Sequence, residues 1–176
     1  MTPTKDFVLT LHDLRRTPGA SRPIDLDATF GEQVVSGLIT IPAERPVQVA
    51  GLVESVGDGV LVSVDIATVV DAQCSRCLTQ FTIPVEVQAK ELFVYPEQVA
   101  DYADEDVSQI HDEAADLAQV IRDAVVIDLP LIPLCRPDCR GLCPDCGQDL
   151  NAAPDHQPHA TIDSRWLGLA QWGKMS

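Results

Sequence analysis

The chain has 176 residues, of which 45% are hydrophobic and only 5% aromatic, as expected for one domain with an aliphatic core. It carries 12 basic and 27 acidic residues, a formal net charge of −15. This charge disfavours nucleic-acid binding over the general surface, because such binding depends on Lys and Arg displacing counterions. It favours a basic protein as partner.

The N-terminus lacks a basic region followed by an apolar run, so no secretory signal is expected. The most apolar stretch, residues 125–134, is far too short to span a bilayer. We therefore predict a cytoplasmic protein with no membrane partner. In the cytoplasm thiols stay reduced, and paired cysteines are then more often metal ligands than disulfides.

The predicted elements begin with strands. Apolar alternation predicts strands at 7–11 and 24–28, whereas 31–41 is ambiguous. Two apolar runs, 47–53 and 60–70, flank a Gly-Asp-Gly turn and predict a hairpin. A further run follows at 81–95. Cys74 and Cys77 are therefore expected at a turn between two antiparallel strands.

The second half of the chain has a different character. Residues 97–116 are strongly acidic and predict a solvated linker. Helical spacing then predicts a helix over 117–128, with Asp116 and Gln119 as a capping box and Pro130 after its end. A short last helix is expected after Asp163.

The predicted fold is α+β: an antiparallel sheet or partial barrel, one main helix and a C-terminal cysteine-rich metal-binding module. We divide the chain into a β region (1–96), the acidic linker (97–116), and the helix with the zinc module and terminal helix (117–176), as one domain overall.

The six cysteines form three close pairs, and thiolates at such intervals are typical Zn²⁺ ligands. One predicted ligand set is local: Cys135, Cys139, Cys143 and Cys146. The alternative set joins Cys74 and Cys77 to Cys143 and Cys146. The local set closes a tight loop, and the split set costs more loop closure, although that cost grows slowly with length.

Either set supplies four protein ligands, which makes the expected Zn²⁺ structural, with no open position for water. We favour the local set. Four alternatives stay open. They are an iron–sulfur cluster, a redox role for Cys74 and Cys77, packing of those two cysteines as small apolar residues, and a ligand role for His156 or His159, which are otherwise loop residues.

Arginines are rare in this acidic chain, yet several lie near the cysteines. They are candidates for contact with RNA or phosphate: Arg15, Arg16, Arg76, Arg136 and Arg140. For the last three, the alternative is compensation of the negative charge that four thiolates leave around Zn²⁺.

Several motifs together resemble the YceD family, the large ribosomal RNA subunit accumulation proteins, in its high-GC Gram-positive form. The matching segments are 7–14 with Arg15-Arg16 and Pro18-Gly19, Cys74-Ser75-Arg76-Cys77-Leu78, 91–95, 122–126, 129–131, the cysteines and glycines from Cys135 to Gly147, Ile162-Asp163, and Arg165-Trp166.

The resemblance implies a bacterial factor needed for synthesis, processing or stability of large-subunit rRNA. In the family, the gene commonly neighbours that of a small basic zinc-ribbon ribosomal protein. Some family members keep the first cysteine pair but lack the second cluster, so zinc need not be the family's shared function.

These observations lead us to expect a non-enzymatic ribosome-biogenesis factor without a small-molecule substrate. The sequence has no phosphate-cradling glycine loop and no open-site metal motif. The expected partner is a basic ribosomal protein or a large-subunit precursor, with contact to rRNA indirect. The alternatives are a direct rRNA-binding protein and a zinc or thiol redox sensor.

Overall fold

The structure, a computed structural model, describes residues 7–14, 16–102, 107–157, 159 and 165. Its strands are β1 (Val8–Thr10), β2 (Ser21–Ala28), β3 (Val34–Ser36), β4 (Ile39–Ile41), β5 (Val47–Ser55), β6 (Gly59–Gln73), β7 (Gln80–Val94), β8 (Ser108–Gln109) and β9 (Ala114–Asp116). A 3₁₀ turn spans Val99–Tyr102, and the helix α1 spans Ala118–Asp128.

The sheet is built on β6, a strand of 15 residues that pairs antiparallel with β7 along its whole length. On its other side β6 pairs with β5 and, further along, with β4. β2 extends the sheet beyond β5, β3 pairs with β4, and the two residues of β8 run parallel to β7. The sheet is not closed into a barrel. The predicted α+β fold with an antiparallel sheet is thus confirmed.

Alternation along β6 explains where the core lies. Every second residue is buried, from Val60 through Val62, Val64 and Ile66 to Ala72, because successive side chains of a strand point to opposite faces. α1 adds Ile121 and Val125 to the same core. The predicted hairpin of β5 and β6 is present, and the ambiguous segment 31–41 forms the hairpin of β3 and β4.

The segment predicted as a solvated acidic linker contains packed structure. β8 adds to the main sheet, and β9 pairs with β1 in a separate two-stranded sheet. Ile110 and Ala115 are buried. These two apolar residues pack the acidic segment against the rest of the protein. A prediction based on its acidic residues alone does not detect them. The division of the chain into three parts stays a prediction.

α1 occupies the predicted position, but its first turn differs in detail. The Asp116 side chain accepts a hydrogen bond from the Ala118 N–H, whereas the Gln119 amide donates to Asp123 and does not complete a capping box. At the other end Leu129 is extended, as expected before Pro130. The predicted helix after Asp163 lies outside the described residues.

Candidate metal centre

The turn between β6 and β7 presents the first two thiols. Cys74 continues the buried alternation of β6 and is fully buried. Its carbonyl accepts from the Leu78 N–H at 2.9 Å, and its own N–H donates to the Thr79 carbonyl at 2.9 Å. Leu78 has φ +60°, a left-handed conformation that is unusual for leucine. This tight turn places Cys77 beside Cys74, as the sequence predicted.

Four thiols meet at this turn: Cys74, Cys77, Cys135 and Cys139. Sulfur–sulfur distances are 3.7 Å between Cys74 and Cys139 and 3.6 Å between Cys77 and Cys135. A tetrahedral site with Zn–S bonds of about 2.3 Å has edges of about 3.8 Å. The four sulfurs lie within 4.8 Å of one another, so the cluster could hold one metal ion.

Backbone hydrogen bonds dock the C-terminal segment against this turn. The Ser75 N–H donates to the Pro133 carbonyl at 2.9 Å, and the Leu142 N–H donates to the Arg76 carbonyl at 3.1 Å. Gly141, with φ +77°, passes so close to Arg76 that an added Cβ would lie 3.0 Å from its carbonyl oxygen. These contacts flank Cys135 and Cys139 and carry both thiols to the sheet.

The environment shifts the pKa values of three of these thiols in different directions. Burial opposes ionisation of Cys74, but backbone N–H groups, including those of Cys135 and Cys77, outweigh it and lower the Cys74 pKa to about 6. Burial and the neighbouring thiols raise the pKa of Cys135 to about 12. Hydrogen bonds from the side chain and backbone of Thr79 lower the pKa of Cys77. A bound cation would deprotonate all of the thiols that coordinate it, including Cys135.

A second cluster follows in the chain: Cys143, Cys146, His156 and His159. Its ligand atoms also lie within 4.8 Å of one another, and Cys146 Sγ is 3.6 Å from His156 Nε2. Cys143 is buried, whereas Cys146 and His159 are exposed. This cluster too could hold a metal ion.

The thiols are therefore grouped differently from either predicted set. The local set is divided between the two clusters, with Cys135 and Cys139 in the first and Cys143 and Cys146 in the second. The split set correctly joins Cys74 and Cys77 to a C-terminal pair. That pair, however, is Cys135 and Cys139, and not the predicted Cys143 and Cys146. The backbone hydrogen bonds of Ser75 with Pro133 and of Arg76 with Leu142 place Cys135 and Cys139 beside Cys74 and Cys77. The spacing of the cysteines along the chain does not predict these contacts.

Sequence reasoning missed Asn151, which links the clusters. Its side-chain N–H donates to Cys139 Sγ at 3.6 Å, and its side-chain carbonyl accepts from the Arg136 guanidinium at 2.7 Å and from the Arg140 N–H at 2.8 Å. The Asn151 backbone N–H also donates to Asp149 and lowers the pKa of that carboxyl. Its position in the loop between Cys146 and His156 was the only available sequence signal.

The candidate RNA-contact arginines have partners within the chain. Arg16 pairs with Glu97 at 2.8 Å, and its guanidinium lies 4.3 Å from the ring centroid of Tyr95. Arg76 donates to the Cys139 carbonyl at 2.8 Å. Arg15 lies outside the described residues.

The remaining two arginines hold the loop of the second cluster. Arg136 binds Asn151, as above, and also lies 3.5 Å from Asp138. The Arg140 guanidinium donates to the Pro154 carbonyl at 3.1 Å. Arg76, Arg136 and Arg140 therefore stabilise the cysteine-rich segment directly.

Comparison with known proteins identifies the family. The family described as "Large ribosomal RNA subunit accumulation protein YceD" matches residues 62–172. The chain belongs to the YceD family. The family name implies a role in accumulation of the large ribosomal subunit RNA.

Relatives of this YceD protein include the uncharacterized protein Rv2926c of Mycobacterium tuberculosis, 39% identical over 90% of this chain and 77% of the relative. The uncharacterized protein ML1660 of Mycobacterium leprae is 36% identical over 92% of this chain and 75% of the relative. YlbN of Bacillus subtilis is 26% identical over 54% of this chain and 56% of the relative. The two mycobacterial matches agree with the predicted high-GC Gram-positive form.

No solved structure gives a significant match to this chain. Within the described residues, no helix is long and apolar enough to cross a membrane.

Proposed function

We propose that this chain is a non-enzymatic factor that supports accumulation of large-subunit rRNA by binding a basic ribosomal protein or an assembly intermediate. Membership of the YceD family is the observation that carries the ribosomal role. The net charge of −15 supports a basic partner, because complementary charge speeds association and excludes wrong partners.

The engaged arginines argue for a protein partner over direct binding of rRNA. Arg16, Arg76, Arg136 and Arg140 each donate to a group of the same chain. Binding phosphate would require these contacts to be exchanged or shared. On an acidic surface this leaves few cations to displace counterions from RNA.

Exposed apolar side chains supply a candidate contact surface at the end of α1. Ile127 is 83% exposed, Leu131 100% and Ile132 69%. The thiol cluster holds the residues that follow, since Cys135 is one of its members. Contiguous exposed apolar surface rimmed by polar residues is characteristic of protein-binding sites.

In this proposal Zn²⁺ at Cys74, Cys77, Cys135 and Cys139 is structural. Four protein thiolates complete its preferred tetrahedral coordination and leave no position for substrate or water. The ion fastens the segment after Leu129 to the turn between β6 and β7. It thereby gives the exposed apolar residues a defined position relative to the sheet.

The ribosomal role is tested in cells. Disruption of the gene should lower the ratio of large-subunit to small-subunit rRNA, and wild-type protein should restore the ratio. Cys139→Ser should restore it poorly at equal protein abundance. An unchanged ratio after disruption, in cells shown to lack the protein, would refute the ribosomal role.

The contact surface is tested with purified basic large-subunit ribosomal proteins and the immobilised chain. Leu131→Glu should weaken binding, whereas Val35→Glu, at a site that is 62% exposed on β3, should not. Binding should also fall as salt rises. Equal loss in both variants would refute this surface, and stronger binding of an rRNA transcript than of any protein would favour direct rRNA recognition.

A further inference from the structure

The two Cys-x2-Cys turns have the same backbone structure. In the second turn the Cys143 carbonyl accepts from the Gly147 N–H at 2.9 Å, and the Cys143 N–H donates to the Gln148 carbonyl at 2.8 Å. In the first turn the Cys74 carbonyl accepts from the Leu78 N–H, and the Cys74 N–H donates to the Thr79 carbonyl, at the same two positions after the cysteine. The residue four after the first cysteine has positive φ in both turns, +60° at Leu78 and +73° at Gly147.

The hydrogen bonds to sulfur also correspond. The first cysteine of each turn accepts from the backbone N–H groups two and three residues later, which are those of Asp145 and Cys146 in the second turn and those of Arg76 and Cys77 in the first. Donors aimed at sulfur stabilise thiolate, the form that binds metal. Both turns therefore present two sulfurs in the manner of a metal-binding turn.

Histidines complete the second group. The Sγ–Nε2 distance of 3.6 Å between Cys146 and His156 matches the edge of about 3.6 Å expected for a tetrahedral ion with Zn–S of about 2.3 Å and Zn–N of about 2.0–2.1 Å. The rings of His156 and His159 lie 5.2 Å apart and tilted by 56°, so they converge without stacking. The His156 N–H donates to the Ala153 carbonyl, which fixes the loop that carries the rings.

We propose that Cys143, Cys146, His156 and His159 form a second Zn²⁺ site, and that its ion exchanges faster than the ion of the thiol cluster. Two thiolates and two imidazoles are a standard ligand set for Zn²⁺. Cys146 and His159 are exposed, so a chelator reaches them directly. Cys74, Cys77 and Cys139 are at most 9% exposed. The proposal of this second site stands whether or not the chain has the proposed ribosomal role.

The second ion also supports the first site through Asn151. This residue lies between the cysteines and histidines of the second site and donates to Cys139 Sγ of the first. An ion that clamps both ends of the 146–156 loop keeps that amide in place. Loss of the second ion should therefore weaken retention of the first, while loss of the first leaves the local Cys143 turn intact.

The test is metal content and release from reduced full-length protein. Wild type should hold two Zn²⁺ per chain. A chromogenic chelator should remove one about tenfold faster than the other, the lower end of the effect that the surroundings of a metal site have on its affinity. The double variant His156→Ala with His159→Ala should hold one ion and lack the fast phase. His111→Ala, an exposed histidine outside both clusters, should behave as wild type.

Cobalt substitution identifies the ligands in the folded protein. Cys146→His keeps four ligands, so it should retain two Co²⁺ ions, with the absorption of one site shifted because imidazole replaces thiolate. One ion per chain in wild type, or a second ion retained by the double histidine variant, would overturn the proposal. Equal release rates for the two ions would overturn the difference in exchange.

Discussion

The sheet and the segment after Leu129 differ in what holds them together. The sheet and α1 share a core of aliphatic and aromatic side chains that runs from Phe7 to Leu129. After Leu129, the buried apolar side chains among the described residues are those of Pro133, Cys139 and Cys143. The first region is stabilised by removal of apolar surface from water. The second has too little apolar burial for this, so its order depends on thiols, hydrogen bonds and the proposed ions.

Metal removal should have the largest effect and should separate the two regions. Binding of structural Zn²⁺ stabilises zinc-finger peptides by on the order of 10–16 kcal/mol, so its loss is expected to unfold the dependent segment. After chelation under reducing conditions, amide hydrogen exchange should accelerate across 130–157 and change little in β5, β6 and β7. Unchanged exchange after verified metal removal would contradict the proposed dependence on metal.

A cavity in the apolar core should give the converse result. Ile121 is fully buried in α1, and Ile→Ala at such sites costs about 2–5 kcal/mol. Ile121→Ala should lower the free energy of unfolding by this amount, measured by denaturant titration at saturating zinc. Zinc content of the folded protein should stay at its wild-type value. A coupled loss of zinc would show that the regions are not separable.

Asn151 tests how far the second region depends on hydrogen bonds to its ligands. Partners of metal ligands contribute about 10–100-fold to affinity, so Asn151→Ala should reduce zinc affinity of the thiol cluster within that range, measured by chelator competition. The matched control is Gln48→Ala on an exposed position of β5, which should leave affinity unchanged. An effect in the control equal to that of Asn151→Ala would exclude a specific role.

The smallest effects concern the two equivalent turn positions. A residue other than glycine in the left-handed region costs about 1–2 kcal/mol. Gly147→Ala should therefore destabilise the second turn by about that amount. Leu78→Gly should relieve strain in the first turn, offset by the greater freedom of glycine in the unfolded chain, with a net gain below about 1 kcal/mol. Thermal unfolding of the zinc-loaded variants measures both, and opposite signs are expected.

The sequence predicted those features that depend on local patterns. Alternation gave β5, β6 and β7 and placed Cys74 and Cys77 at a turn, and helical spacing gave α1 to within one residue. It predicted less well where charge concealed packing, as at Ile110 and Ala115, because a few buried side chains can order an acidic segment. The grouping of the thiols differed from the prediction for another reason, since six similar cysteines in three close pairs satisfy several groupings equally well in sequence.

By itself, the sequence determined the strands β5, β6 and β7, the helix α1, the position of Cys74 and Cys77 at a turn, and the resemblance to the YceD family. These features follow from periodicity and spacing, which act over a few residues. The tertiary structure alone decided which pairs face each other. The Ser75–Pro133 and Arg76–Leu142 backbone bonds bring Cys135 and Cys139 to the sheet and leave Cys143 and Cys146 to the histidines. Those contacts join residues far apart in the chain, where the sequence pattern carries no information about distance.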